Sequence, residues 1–281
     1  MKIEKGKTGF CFGVKRAISI LEKAAHQRGG VETLGAVVHN QQVLDRLASI
    51  GVSVVRDVAD IRGDIVATSS HGISPQLEAE IRARNIDIIS TTCPFVQRIH
   101  VATRRLAESG FYVIIYGDAD HPEVKGALGW AQGRGIATAD GKVIATLDPT
   151  PRRIGVLSQT TQVPAHFAQF SKNLIDSALG KDSEIRIIDT TCHDIRERQA
   201  AALELANRVD LMLVIGGRSS ANTNHLAELC ATATESRLVE TAEEIQSSWL
   251  QGKNSIGVTA GASTAEQTVD EVLKKLEGMN G

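Results

Sequence analysis

Short apolar runs rich in valine and isoleucine alternate along the chain with longer segments in which apolar residues recur every three or four positions. The short runs predict strands at 51–55, 64–68, 87–90, 112–116, 153–157, 185–188, 211–215 and 254–258. The longer segments predict helices at 15–28, 76–84, 96–109, 165–179, 196–208, 223–233 and 265–276. Because the short runs lack a clean apolar–polar alternation, they are typical of strands buried on both faces. The pattern predicts an α/β protein with mostly parallel sheets covered by helices.

A weak internal repeat overlies this alternation. Each of three segments has a strand, a short turn that contains one cysteine, and a basic amphipathic helix. The cysteines are Cys11, Cys93 and Cys192, and the triplet Thr-Thr-Cys occurs at both 91–93 and 190–192. The repeat predicts three similar α/β lobes, each with a cysteine at the end of a strand, so that three thiolates meet on a shared axis.

The spacing of the repeat also predicts where the lobes begin and end. We expect a first lobe over 12–92 and a second over 93–188. The third lobe combines 189–264 with the N-terminal residues 1–11. A C-terminal helix within 265–281 is expected to pack back on the lobes.

Composition and charge exclude several classes of protein. The chain has 281 residues, of which 42% are hydrophobic and 23% charged, so it is not a disordered or low-complexity protein. Its 31 Lys and Arg against 33 Asp and Glu give a net charge of −2, which argues against a nucleic-acid partner. No apolar run is long enough to span a membrane, and the N-terminal charges lack the apolar core of a signal peptide. We therefore predict a soluble, cytoplasmic protein.

Four cysteines are too few for a disulfide framework. Cys230 lies on an apolar helical stripe and is predicted to be in the core. The other three lie at predicted helix starts, where a thiol pKa is lowered. No local CxxC pair suggests a structural zinc site or a redox dithiol. Three alternatives stay open: a catalytic zinc with three cysteines, an iron–sulfur cluster with one open iron, and buried structural thiols.

Polar turns follow several of the predicted strands, at the edge where α/β proteins bind ligands. Three of these turns carry His39, His71 and His121. Histidines, small hydroxyls and backbone amides at helix starts are suited to an anion such as phosphate, although each turn alone is also an ordinary helix cap. The other histidines are expected at surface or helix-face positions without a role: His26, His100, His166, His193 and His225. The sequence has neither a dinucleotide fingerprint nor a phosphate-binding loop, so nicotinamide or ATP dependence has no support.

An ordered set of motifs over essentially the whole chain resembles the LytB (IspH) family of 4-hydroxy-3-methylbut-2-enyl diphosphate reductases. The motifs are GFCFGVKRAI at 9–18, VHN at 38–40, SHG at 70–72, TCP at 92–94, HPEV at 121–124, QTT at 159–161, SANT at 220–223 and TAGAS at 259–263. The resemblance implies a three-lobed iron–sulfur enzyme. It would remove the allylic hydroxyl of its substrate with two electrons and two protons, in the last step of the non-mevalonate isoprenoid pathway. Reduced ferredoxin or flavodoxin would be the electron donor.

The resemblance also implies roles for individual residues. Cys11, Cys93 and Cys192 would hold a 4Fe–4S cluster whose fourth iron is open to the substrate hydroxyl. Glu123 and Thr160 would deliver a proton to that hydroxyl, with His121 beside them. The substrate diphosphate would be bound by His39, His71, His121, Ser220, Asn222 and Ser263.

The chain departs from the usual family pattern at a few positions. His193-Asp194-Ile195 stands where Ala-Thr usually precedes the pair Arg198-Gln199. Phe12 follows Cys11 where a small residue is common, and Ala221 replaces a serine of some members. These changes leave two alternatives open: a cluster-dependent reductive dehydratase of another substrate, and a non-catalytic iron–sulfur sensor. A zinc hydrolase is a more distant alternative.

Overall fold

A computed structural model describes residues 1–38, 40–179 and 182–279. His39 therefore lies outside the described residues. By their contacts, the residues divide into two compact units. Unit 1 comprises 1–15, 38–46 and the chain from 193 onward, and unit 2 comprises 16–37 and 47–192.

Strands and helices alternate along the described chain, as the apolar pattern predicts. The strands are β1 (Lys2–Lys5), β2 (Val31–Leu34), β3 (Val52–Val55), β4 (Ile65–Thr68), β5 (Asp87–Ile89), β6 (Tyr112–Tyr116), β7 (Gly135–Thr138), β8 (Arg153–Ser158), β9 (Glu184–Ile187), β10 (Leu211–Ile215), β11 (Ser236–Val239) and β12 (Ser255–Ala260). The α-helices are α1 (Phe12–Arg28), α2 (Gln41–Ser49), α3 (Pro75–Ala83), α4 (Pro94–Glu108), α5 (Pro122–Gly129), α6 (Pro164–Ala178), α7 (His193–Ala206), α8 (Ala221–Ala231) and α9 (Glu266–Gly278).

The strands form three parallel sheets of four strands each. Unit 1 contains the sheet β1-β12-β10-β11, and unit 2 contains the sheets β3-β2-β4-β5 and β7-β6-β8-β9. Every pairing between neighbouring strands is parallel. The predicted α/β class with three parallel-sheet lobes is confirmed, while the predicted lobe boundaries stay a prediction.

The sheets are covered by the apolar stripes of their helices, which is why the strands read as continuous apolar runs. In unit 1, Val269, Val272 and Leu276 of α9 pack against one face of the β10–β12 region. On the other face lie apolar residues of α7 and α8, including Cys230. Burial raises the pKa of the Cys230 thiol to about 11, so this cysteine is an inert core residue, as predicted. No helix among the described residues has the length and apolarity to cross a membrane.

Candidate active site

The three candidate cluster cysteines occupy equivalent positions relative to their sheets. Each cysteine follows an edge strand (β1, β5 or β9) and directly precedes a helix. Its backbone N–H donates to a carbonyl in the segment that follows the neighbouring strand. The acceptors lie two residues beyond the ends of β12, β4 and β8: Cys11 N to Ala262 O at 2.9 Å, Cys93 N to Ser70 O at 3.0 Å, and Cys192 N to Thr160 O at 2.9 Å. The repeat seen in the sequence is therefore a repeat of backbone geometry.

The Thr-Thr-Cys triplets show how this geometry is encoded in unit 2. The hydroxyl of Thr91 donates to the carbonyl of Thr68, the last residue of β4. The hydroxyl of Thr190 donates in the same way to the carbonyl of Ser158, the last residue of β8. Each first threonine thus extends the parallel pairing past the end of the strand, and the cysteine follows two residues later.

Glu123 lies in the first turn of α5, behind Pro122, and its side chain is 2% exposed. Its carboxylate accepts two hydrogen bonds from Thr160, at 2.7 Å from the backbone N and 2.6 Å from the hydroxyl. Burial raises the pKa of Glu123, and the two hydrogen bonds oppose this only in part. A carboxyl with a raised pKa holds its proton to higher pH than an ordinary glutamate and is suited to donate it.

His121 is the N-cap of the same helix. Its Nδ1 accepts a hydrogen bond from the backbone N of Glu123 at 3.2 Å, so the proton of the neutral ring lies on Nε2. The ring meets that of His71 edge-on, with 5.3 Å between the ring centroids. The structure thus brings His71, His121, Glu123 and Thr160 together within unit 2, as a buried carboxyl beside two imidazoles.

His100 lies on a helix, as one form of the expectation allowed, but it is buried rather than exposed. Its side chain is 8% exposed and stacks on Trp130, and burial lowers its pKa to about 4. The ring packs against the turn that follows His71, because a Cβ at Gly72, where φ is +74°, would lie 2.5 Å from its Cε1. His100 belongs to α4, the helix that begins after Cys93, so it connects that cysteine's helix to the turn bearing His71.

Cys11 precedes α1 in unit 1, and its Sγ accepts a hydrogen bond from the backbone N of Val14 at 3.4 Å. Burial nevertheless raises the pKa of the Cys11 thiol, and the backbone hydrogen bonds of Val14 and Gly13 offset this only in part. The expected lowering of the thiol pKa by the helix start is therefore wrong for Cys11, because desolvation outweighs it. A metal cation at the sulfur would reverse this balance.

The other candidate diphosphate residues of unit 1 follow β10 and β12. Ser220 is the N-cap of α8 and accepts a hydrogen bond from the backbone N of Thr223 at 3.4 Å. Asn222 is 6% exposed, and both polar atoms of its amide are buried without a hydrogen-bond partner among the described residues. Ser263 is half-buried beyond the end of β12. An unsatisfied buried amide is costly unless a partner pairs with it.

Three of the positions that depart from the pattern expected from the sequence differ in their setting. Ile195 is buried on α7, so an apolar residue there joins the core. Phe12 is among the exposed large hydrophobic residues. Ala221 is the first residue of α8 and leaves the cap at Ser220 in place. None of these changes removes a candidate ligand.

Among the residues that the structure describes, no group of three or more His, Cys, Asp or Glu side chains is arranged to hold a single metal ion. An iron–sulfur cluster binds each cysteine through a different iron, so it does not require such a group. The three equivalent cysteines, one at each of three helix starts, fit that donor set by chemistry and setting.

Comparisons with known proteins show the family of this chain. The LytB protein family model matches residues 3–277. A protein of Dehalococcoides mccartyi (strain CBDB1), named 4-hydroxy-3-methylbut-2-enyl diphosphate reductase, is 58% identical over 281 residues, covering 100% of this chain and 99% of its own length. A protein of the same name from Geobacter sulfurreducens is 41% identical over 273 residues, covering 96% of this chain and 95% of its own.

Two solved structures are also similar over nearly the full length. One is described as (E)-4-hydroxy-3-methyl-but-2-enyl diphosphate reductase, the terminal enzyme of the non-mevalonate pathway; it is 32% identical with a TM-score of 0.71, covering 99% of this chain and 100% of its own. The other, a diphosphate reductase from Plasmodium falciparum, is 26% identical with a TM-score of 0.91, covering 100% of this chain and 88% of its own. Because the family model and these relatives match nearly the whole chain, this protein belongs to the LytB family.

Proposed function

We propose that this chain reduces 4-hydroxy-3-methylbut-2-enyl diphosphate to isopentenyl and dimethylallyl diphosphates, the reaction for which its relatives are named. The substrate takes up two electrons and two protons and loses its allylic hydroxyl as water. The observation that carries the proposal is the buried carboxyl of Glu123, bonded to Thr160, whose own carbonyl accepts the backbone N–H of Cys192. A proton donor and a candidate cluster ligand are thus attached to the same turn.

Cys11, Cys93 and Cys192 would hold the cluster of this enzyme. When bound, a 4Fe–4S cluster with three cysteine ligands supplies electrons and an open, Lewis-acidic iron. The backbone hydrogen bonds of the cysteines fix the position of each cysteine's main chain next to its sheet. The three sheets therefore position these ligands.

Glu123 and Thr160 would supply the proton that makes hydroxide a leaving group. The protonated carboxyl passes its proton to the Thr160 hydroxyl, which gives up its own proton to the departing oxygen. The diphosphate would be held by His39, His71, His121, Ser220, Asn222 and Ser263, whose donors suit phosphate oxygens. A cytoplasmic location and a ferredoxin or flavodoxin donor stay predictions.

The proposal is tested on protein purified without oxygen. We expect about four irons with matching acid-labile sulfide, broad visible absorption, a spectral change on adding the allylic diphosphate, and its turnover with a low-potential donor. A cluster whose spectrum does not change with this substrate would favour the alternative of a reductive dehydratase that acts on another substrate. A spectral change without turnover would favour the alternative of a non-catalytic sensor. Zinc in place of iron would favour the hydrolase.

The pH dependence of turnover follows from the raised pKa of Glu123. The active form is the protonated acid, so kcat is highest below the folded-state pKa and falls as pH rises through it, which lies above the ordinary value of 4.5. We expect kcat to decline toward alkaline pH with one ionisation, measured as initial rates with a chemical reductant. A kcat that instead rises with pH would contradict the role of Glu123 as the acid.

Asn222→Ala tests the diphosphate site. Loss of the buried amide should raise KM about 10-fold or more with a smaller effect on kcat, because a ground-state contact to a charged group is worth about 1.5–3 kcal/mol. The control is Asn224→Ala, two residues on, whose side chain donates to the carbonyl of Arg218 on the surface. Equal KM values for the two variants would remove Asn222 from the site.

A further inference from the structure

Arg198 of α7 is a fully buried arginine, with 1% of its side chain exposed. Its guanidinium donates to three backbone carbonyls: Nη1 to Lys7 O at 3.2 Å and to Ala260 O at 2.8 Å, and Nη2 to Gly9 O at 2.9 Å. Two of these carbonyls belong to the segment that leads into Cys11. The third ends β12, two residues before the carbonyl that binds the Cys11 amide.

A carboxylate lies one helical turn before this cation. Asp194 Oδ1 is 3.0 Å from Lys7 Nζ, while its Oδ2 is buried without a hydrogen-bond partner among the described residues. Arg198 and Asp194 therefore both contact the segment that leads into Cys11, Arg198 through the carbonyls of Lys7 and Gly9 and Asp194 through the ammonium of Lys7. A buried arginine that donates to backbone carbonyls, one turn from a carboxylate with an unpaired oxygen among the described residues, is a costly arrangement for stability alone.

We propose that Arg198 and Asp194 set the reduction potential of the cluster at Cys11 in opposite directions, and that Arg198 also positions that cysteine. The inference rests on the proposed cluster. Reduction adds one electron to the cluster, so a nearby buried cation favours the reduced state and raises the potential. A nearby carboxylate disfavours that state and lowers the potential.

Asp194 also lies close in sequence to a second candidate ligand. It is two residues after Cys192, in the first turn of α7. Its negative charge is therefore beside a proposed cluster ligand, and the cluster is expected to be a stronger reductant than it would be without that charge.

The test is a redox titration of the anaerobically purified holoprotein, followed by visible and electron paramagnetic resonance spectra. Asp194→Asn, which keeps the shape of the side chain, should raise the midpoint potential. Arg198→Met should lower it. Glu197→Gln is the matched control, since this exposed carboxylate also pairs with Lys7 at 2.8 Å but is screened by water, and it should leave the potential unchanged.

Arg198→Lys separates charge from positioning. It keeps the cation but cannot reach three carbonyls, so the potential should stay near that of the parent while the melting temperature of the cluster-free protein falls. Unchanged potentials in both charge-removing variants, or shifts of the same sign, would overturn the inference. If Arg198→Met does not fold, Asp194→Asn decides alone, and an unchanged potential there is a refutation. A parent protein without iron after reconstitution would instead refute the proposed cluster.

Discussion

Glu123→Gln is expected to lower kcat by at least about 100-fold, the lower range for loss of a general acid. A glutamine can reproduce the hydrogen bonds of the protonated carboxyl, because its oxygen accepts from the backbone N of Thr160 and its amide donates to the hydroxyl. The variant therefore keeps the geometry and loses the proton. Steady-state rates with the allylic diphosphate, alongside unchanged iron content, provide the measurement.

Stability gives a second readout of the same variant. The folded-state pKa of Glu123 is raised, so ionisation opposes folding, and the parent loses stability as pH rises from the unfolded value of 4.5 toward the folded pKa. The Glu123→Gln variant does not lose this stability, because glutamine does not ionise. Its melting temperature should exceed that of the parent at neutral pH, and the difference should shrink as pH falls toward 4.5. Near-parental kcat in this variant would show that the acid lies elsewhere.

Cys93→Ala is expected to abolish cluster binding and with it nearly all turnover, because two thiolates cannot replace the three-cysteine donor set. Iron, sulfide and visible absorption after anaerobic reconstitution measure this loss. Since the backbone N–H of Cys93, rather than its side chain, bonds Ser70, the fold should persist. A variant that retained a full complement of iron would exclude Cys93 as a ligand.

Cys230→Ala is the matched control within the same chain. This thiol is fully buried among apolar residues of α7 and α8, so its loss leaves a small cavity and should cost about 1–2 kcal/mol of unfolding free energy. Cluster content and kcat should stay at the level of the parent. Cys93→Ala should therefore lower iron content and keep the fold, whereas Cys230→Ala should keep iron content and lower stability.

Much of the fold could be predicted from local pattern. The run Leu211–Ile215 is buried at every position and was predicted with the same bounds, and the other predicted elements are present with ends shifted by no more than three residues. The missed elements are short or polar. β1 reads Lys-Ile-Glu-Lys and is a strand because it pairs with β12, while α5 contains Gly126 and Gly129, which weaken its helical pattern.

The residues of the site likewise differ in whether local sequence or tertiary contacts indicate them. Cys11, Cys93 and Cys192 are marked by their repeated setting, whereas the roles of Arg198 and His100 depend on tertiary contacts. An arginine in a helical pattern is ordinarily exposed, and the buried guanidinium of Arg198 is paired with three carbonyls from two segments far from it in sequence. The Arg198-Gln199 pair was visible in the sequence, but nothing local indicated what it bonds. Burial of His100 likewise depends on Gly72 and Trp130, far from it in sequence.

The backbone hydrogen bond that each candidate ligand makes to a carbonyl beyond a strand end bears on which substitutions the site tolerates. Because main-chain atoms make the bond, it places few demands on the neighbouring side chains. Substitutions that change the size or charge of Phe12 or Asp194 should then leave the thiols in place. The electronic environment of the centre can therefore be varied by mutation of these neighbours while its backbone scaffold stays the same.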